Sequence, residues 1–248
     1  MTSLFLWMKM ESILIWPSNE SILIKFVENR IIMSEIIVIT GLPRSGTSLM
    51  MQIIDKTEIP VLSDGKRNKD ISNPEGYFEL EAVKGIVVNN SFLNDAIGKA
   101  IKIVTPLPIY LDLKHKYKVI FMRREMDEIL KSQEKMLQKD QLSEREKFKT
   151  IYEFHLKKTY RFLIENKIPF VDINYNELMK NPEEEIKKLI SFCNITSEIQ
   201  TLAQVVKPEL YRNRKCWRSF KKDSKRKYLL ILKKIVQYKV ISWSDKTF

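Results

Sequence analysis

Glycine, cysteine and histidine are scarce in this 248-residue chain, which has six Gly, two Cys and two His alongside nine Pro. Collagen-like and low-complexity architectures are excluded by that composition. Cys193 and Cys216 lie 23 positions apart, with no further Cys or His at metal-ligand spacing. The pattern encodes neither a disulfide framework nor a zinc site, so reduced thiols and no metal are expected. Long apolar runs are missing too. The stretch from Met1 to Met8 soon meets Lys9 and Glu11, is shorter than a membrane span, and lacks the basic start and small-residue cleavage site of a signal peptide. The expectation is a cytoplasmic protein with no transmembrane segment, long enough to bury a core without disulfide or metal support.

Charge is unevenly spread. The net charge is +12, yet residues 201–248 hold 14 Lys/Arg against 3 Asp/Glu, while the first 200 hold 29 against 28. A basic segment of this kind serves nucleic acid, an anionic membrane surface or a polyanionic small ligand, or is a solvated helix face. A nucleic-acid binder would interleave stacking aromatics with the cations. Trp217, Phe220 and Tyr228 supply a few without any recognised module, so no obligate nucleic-acid partner is expected.

Ile36 to Thr40 is a continuous β-branched apolar run, the pattern of a strand buried on both faces of a parallel sheet. A Gly-bounded loop follows, Gly41 to Ser48, and Leu49 to Ile54 reads as the start of a helix. Further strands are expected at Ala100 to Thr105, Tyr117 to Met122 and Pro169 to Asn174. Helices are expected at Leu80 to Val88, Met126 to Gln138, Glu144 to Glu165 and Pro182 to Phe192. The alternation predicts an α/β fold, a single three-layer P-loop-type domain around a central, mostly parallel sheet. Residues 63–77 carry Gly65, Asn73, Pro74 and Gly76 and read as a long functional loop. Residues 1–34 fit the alternation poorly. They are taken as an N-terminal extension, with Met33 as an alternative start, ahead of a domain at 35–248 that ends in the basic segment 201–248.

A glycine loop between a buried strand and a helix aims backbone N–H groups and the helix dipole at one point, which suits an anion. The spacing of Gly41 and Gly46 matches a Walker A loop, but Thr47 stands where a nucleotide triphosphatase needs Lys. The loop's cation is Arg44 instead. A triphosphatase would also end a later strand in a metal-binding Asp. Lys118 to Met122 ends in Arg123 and Arg124, which favours a second phosphate over a metal.

The loop Pro43-Arg-Ser-Gly-Thr-Ser48 resembles the 5′-phosphosulfate loop of the sulfotransferases, and its Arg form is similar to that of the tyrosylprotein sulfotransferases and many bacterial members. Three further landmarks follow in order. Arg124 and Ser132, eight residues apart, match the family's 3′-phosphate motif. The segment from Asn174 through Tyr175 and Asn181-Pro182 to Phe192 looks like the family's Tyr-Glu-Asp-Leu and Asn-Pro helix. The segment Tyr211 to Lys215 occupies the C-terminal place of its basic 3′-phosphate residues, although Arg-Lys-Gly is absent. The resemblance covers about residues 35–215.

It implies a sulfotransferase using 3′-phosphoadenosine 5′-phosphosulfate as donor co-substrate, without metal, and moving its sulfuryl group to a hydroxyl or amine acceptor of unstated identity. The implied donor-binding residues are Gly41, Pro43, Arg44, Ser45, Gly46, Thr47, Ser48, Arg124, Ser132, Tyr175, Arg212 and Arg214, with Tyr175 near the adenine. Arg44 is implied to act on the bridging oxygen, and Lys102 on the transferring sulfuryl. If the strand persists, Arg123 and Arg124 face opposite ways and only Arg124 points into the site.

No His stands in the segment Lys102 to Pro108, where cytosolic members carry their base, and His115 and His155 fit no motif. The tyrosylprotein enzymes place a catalytic Glu twenty residues after the loop Arg, a count that reaches Asp64 here. Asp64 is therefore the expected base, with Glu79 and Glu81 as alternatives. Competing readings are a P-loop small-molecule kinase and a non-catalytic basic protein binding nucleotide or nucleic acid.

Overall fold

The computed structural model describes residues 34–67, 76–137 and 144–208. Residues 1–33 of the extension 1–34, the segment with Asn73 and Pro74, and Arg212, Arg214, Cys216 and the rest of the basic segment beyond residue 208 lie outside the described residues. In chain order the elements are β1 (Glu35–Gly41), α1 (Thr47–Ile54), β2 (Val61–Leu62), β3 (Ala100–Lys102), β4 (Lys116–Arg123), α2 (Met126–Leu137), α3 (Arg145–Glu165), β5 (Phe170–Asn174), α4 (Tyr175–Leu178), α5 (Pro182–Cys193) and α6 (Ile199–Ala203). Short 3₁₀ turns fill the stretch between β2 and β4.

The five strands among the described residues form one sheet in the order β2-β3-β1-β4-β5, and each of their pairings is parallel. Central β1 is buried along nearly its whole length, because helices cover both faces of the sheet. Alternate side chains go to opposite layers. Ile37 and Ile39 of β1 join Met50, Met51 and Ile54 of α1 and Ile186 and Leu189 of α5. Ile36 and Val38 join Phe121 of β4 and Tyr160 and Leu163 of α3 on the other side. Phe121 and Tyr160 stack with centroids 4.3 Å apart. Burying a side chain of this size contributes roughly 1.5–3 kcal/mol. Two such layers hold the sheet, and no helix among the described residues is long and apolar enough to cross a membrane.

Three local differences from the sequence expectations have physical causes. The helix expected at Leu80 to Val88 is a 3₁₀ turn over Glu81–Gly85. Gly85 and the β-branched Val87 and Val88 are poor helix formers, and Val88 is 93% exposed, so no apolar stripe supports a longer helix. Strand β3 ends at Lys102, ahead of Pro106, although Ile103 and Thr105 still donate backbone N–H groups to Ile39 and Gly41. Edge strand β2 is two residues long, too short for a period-2 signal.

The chain order reverses across β1, since β2 and β3 lie on one side and β4 and β5 on the other. In open parallel sheets such a switch point leaves a crevice at the carboxyl ends of the strands. Gly41, Lys102, Arg123 and Asn174 all stand at those ends.

Candidate donor-binding and catalytic site

The loop after β1 is wound tightly. Ser45 N–H donates to the Leu42 carbonyl at 3.1 Å, and Arg44 sits at φ 68°, a left-handed conformation that costs a non-glycine residue energy. Gly41 and Gly46 have φ of 145° and 104°. A Cβ at Gly41 would come within 2.5 Å of the Met122 carbonyl, and one at Gly46 would strike the Tyr175 ring. Gly46 also begins α1 without any side-chain cap, and no acidic residue stands in the first turn. The first N–H groups of that helix therefore keep their donor capacity and their positive dipole end. Ser45 Oγ is buried and makes no hydrogen bond among the described residues.

This loop forms one wall of a cavity of about 460 Å³, lined by Pro43, Arg44, Gly46, Thr47 and Ser48. Ser132 and Arg124 enter from the α2 side. Arg44 Nε donates to Ser132 Oγ at 2.9 Å, and Arg124 Nη1 donates to the Arg44 carbonyl at 3.1 Å. Arg124 is fixed from three directions. Its Nε pairs with Glu128 at 3.1 Å, its guanidinium lies 4.3 Å from the Tyr175 ring centre, and Glu128 in turn accepts from Asn176 Nδ2 at 3.0 Å. Glu128 is only 2% exposed. Arg123 turns the other way and pairs with Asp172 at 3.3 Å, a carboxylate that also accepts from Tyr160 OH. The two arginines thus serve opposite faces.

Tyr175 arrives at the loop because β5 turns there into α4. Asn174 Oδ1 caps the new helix by accepting from the N–H groups of Asn176 and Glu177, and buried Glu185 accepts the Asn174 N–H at 2.9 Å. The Tyr175 ring then packs beside Gly46 and under Arg124, supporting both.

A second charged group faces the loop from β3. Lys102, its side chain 3% exposed, donates to the Tyr77 carbonyl, to Glu79 Oε1 at 3.1 Å and to Ser48 Oγ at 3.5 Å. Glu79 Oε1 also pairs with Arg67 Nη1 at 2.8 Å, and the Arg67 guanidinium lies 3.5 Å from the Tyr77 ring centre. Burial pulls the Lys102 ammonium below its ordinary value, against the opposing pull of Glu79. For Glu79, burial pushes upward but is outweighed by Lys102 and Arg67, so its carboxyl is held below the usual glutamate value.

Asp64 is placed differently from what the twenty-residue count suggests. Its Oδ2 accepts from the Glu81 N–H at 2.7 Å and its Oδ1 from the Lys66 N–H at 3.0 Å, so both oxygens are engaged by backbone. Its own N–H donates to the Glu79 carbonyl at 3.1 Å. Asp64 braces the segment that carries Glu79 and does not line the cavity, whereas Glu79 does. Glu81 pairs with Lys84 at the surface, and His115 and His155 are also absent from the lining.

Several cavity residues escaped the sequence reading. Arg67, Lys135 and Lys207 add cations to the lining, and Glu128 secures Arg124 from behind. Glu128 did carry a signal: an acid four residues after Arg124, at a strand-to-helix junction, is at ion-pair spacing. Arg67 lies within the long loop 63–77, where no spacing or motif singled it out.

No curated protein matches the chain. A model of the sulfotransferase domain family matches residues 34–234, which takes in every strand, the glycine loop and the Arg124 to Ser132 clamp. With that match spanning most of its length, and with the loop, clamp and parallel sheet in one arrangement, the chain belongs to the sulfotransferase family.

Proposed function

We propose that this protein transfers a sulfuryl group from 3′-phosphoadenosine 5′-phosphosulfate to a hydroxyl or amine acceptor. The observation that carries the reading is the pair of separate polar anchors on one cavity, the loop at Arg44 to Ser48 and the clamp at Arg124 and Ser132. A donor with anionic groups on both sides of its ribose needs two such anchors, while a triphosphate needs only the first. The residues present fit that donor. Ser45 Oγ has no partner among the described residues, the α1 N-terminus lacks a side-chain cap, and Gly41 and Gly46 keep Cβ atoms out of the loop. Thr47, standing where a kinase loop carries Lys, weighs against the kinase reading.

Bound at these anchors, the donor supplies an activated sulfur whose bond to the bridging phosphate oxygen breaks as the acceptor atom bonds to it. The loop N–H groups, Thr47 and Ser48 hold its 5′ end, and Arg124 and Ser132 hold the 3′-phosphate. Arg44 offsets the charge that develops on the departing phosphate oxygen, and Lys102 offsets that on the sulfonate oxygens. Glu79 takes the acceptor's proton. It replaces Asp64 in that role, because it is the carboxylate that lines the cavity, next to Lys102. Tyr175 flanks the nucleotide site, and Arg212 and Arg214 complete the 3′-phosphate contacts in this reading. The catalytic domain runs from about residue 35, and the compartment is a reducing cytoplasm. Cys193 suits that setting as a buried free thiol whose pKa is pushed up by burial to about 12.

Incubation with donor labelled in its sulfuryl group, against a panel of phenols, alcohols and amines, tests the reading. Label should pass to at least one acceptor class. Absence of transfer, together with absence of donor binding, would refute it.

A further inference from the structure

Lys102 stands between a loop built to receive an anion and a carboxylate, so a loop-bound anion and Glu79 would each attract its charge. On one side is the phosphate loop, reached through Ser48 Oγ at 3.5 Å, the longest of its three contacts. On the other is Glu79 Oε1 at 3.1 Å. The ammonium is buried, so water cannot make up for a missing partner, and the Tyr77 carbonyl tethers it in place. Glu79 is in a different position. It has a second cation, Arg67, at 2.8 Å, and Arg67 is itself held over the Tyr77 ring. Glu79 can therefore yield Lys102 and keep a salt bridge, whereas Lys102 meets one carboxylate only among the described residues.

We propose that Glu79 and the donor's sulfonate compete for Lys102, so that donor binding draws the ammonium toward the loop and releases Glu79 to face the acceptor. This inference rests on the donor reading above. While Lys102 stays at Glu79, the carboxylate is paired with two cations and is a weak base. Once Lys102 has turned to an anion at Ser48, Glu79 loses one of the charges that hold its proton affinity down. The base thus becomes effective only when a sulfonate is present. The site carries its own order of events: donor first, then proton acceptance.

Competition for one cation has a thermodynamic signature, because two groups that exclude each other raise one another's apparent cost of binding reciprocally. Removing the carboxylate should strengthen binding of a nucleotide that carries the sulfonate and leave one that lacks it unchanged. The experiment is isothermal titration of the full chain with 3′-phosphoadenosine 5′-phosphosulfate and with adenosine 3′,5′-bisphosphate, using wild type, Glu79→Gln, Lys102→Met and the double variant.

Glu79→Gln should tighten the phosphosulfate roughly tenfold, within the usual span of coupling between sites, and change the bisphosphate less than about twofold. In the Lys102→Met background the Glu79→Gln effect should vanish. Equal tightening of both nucleotides would mean that Glu79 acts as a general negative field, and the proposal would be wrong. No tightening of the phosphosulfate would overturn it as well. If Lys102→Met does not fold, the comparison of two nucleotides on Glu79→Gln decides alone. Failure of the donor reading itself looks different: wild type would bind neither nucleotide, and the inference would fall with it.

Discussion

Arg44 and Ser132, 88 positions apart in sequence, are joined by a 2.9 Å hydrogen bond from Nε to Oγ. The bond ties the loop after β1 to the middle of α2 and makes one wall from two anchors. Arg124 adds a second tie by donating to the Arg44 carbonyl at 3.1 Å. The loop and the clamp are therefore prearranged around one cavity, which would lower the ordering cost of binding the proposed nucleotide with its two separate anionic groups.

Replacing Arg124 by Ala should weaken adenosine 3′,5′-bisphosphate binding by about 1.5–3 kcal/mol, the size of one charged hydrogen-bonding contact. Arg123→Ala should cost much less, since Arg123 faces Asp172 on the far layer. Titration calorimetry on the two variants checks the ranking, and the reverse order would mean that the other arginine enters the site.

Arg124→Ala should also cost stability. It leaves Glu128 buried without its cation, and breaking such a pair typically costs about 3–5 kcal/mol. Adding Glu128→Gln removes the stranded charge and keeps an acceptor for Asn176, so the double variant should be more stable than Arg124→Ala in urea unfolding. A double variant no more stable than the single one would contradict that account.

Much of this site was legible in the sequence because it is local. A β-branched run, two glycines at fixed spacing and an Arg followed eight residues later by Ser each sit within one element or one turn, and the chemistry of each is carried by its own residues. Among the described residues, the four longest helices and four of the five strands follow from the same local patterns. What could not be read is what the sheet brings together. Asp64 and Glu79 both lie in the poorly patterned stretch after β2. Only the path of the chain decides that Asp64 faces backbone amides while Glu79 meets Lys102 and Arg67. Likewise the register of β4 against β5, which sets Arg123 opposite Asn174 and diagonal to its ion-pair partner Asp172, joins residues 49 positions apart.

Gly46→Ala should abolish donor binding and lower the melting temperature. The φ of 104° is strained for any side chain, costing of order 1–3 kcal/mol, and the new Cβ would meet the Tyr175 ring. Tyr175→Ala in the same protein relieves the collision but not the backbone strain, so it should not restore the melting temperature. Full recovery in the double variant would show that the ring alone demands glycine.

The carboxylate assignment predicts distinct kinetics. Glu79→Gln should reduce turnover by about 10²–10⁴-fold, as loss of a general base does, whereas Asp64→Asn should retain most of it. Glu79 must be ionised to accept a proton, and Lys102 and Arg67, the cations facing it, hold its pKa below the ordinary value. In the free enzyme, which kcat/KM for the donor reports, the acid limb should therefore lie below the ordinary glutamate range, and kcat/KM should fall as pH drops through the lowered pKa. Arg67→Ala removes one of those cations, so the acid limb of kcat/KM should move to higher pH. A limb that stays in place would dissociate Glu79 from the proton transfer.

The most direct test of the two-anchor site is thermal stability with competing nucleotides. Ligands that bind only the folded chain raise its melting temperature by mass action. At equal concentration, adenosine 3′,5′-bisphosphate should raise it clearly more than ADP, or ATP with Mg²⁺, and the advantage should disappear in Arg124→Ala. An equal or larger shift from ATP with Mg²⁺ would contradict the account and point to a triphosphate in the loop.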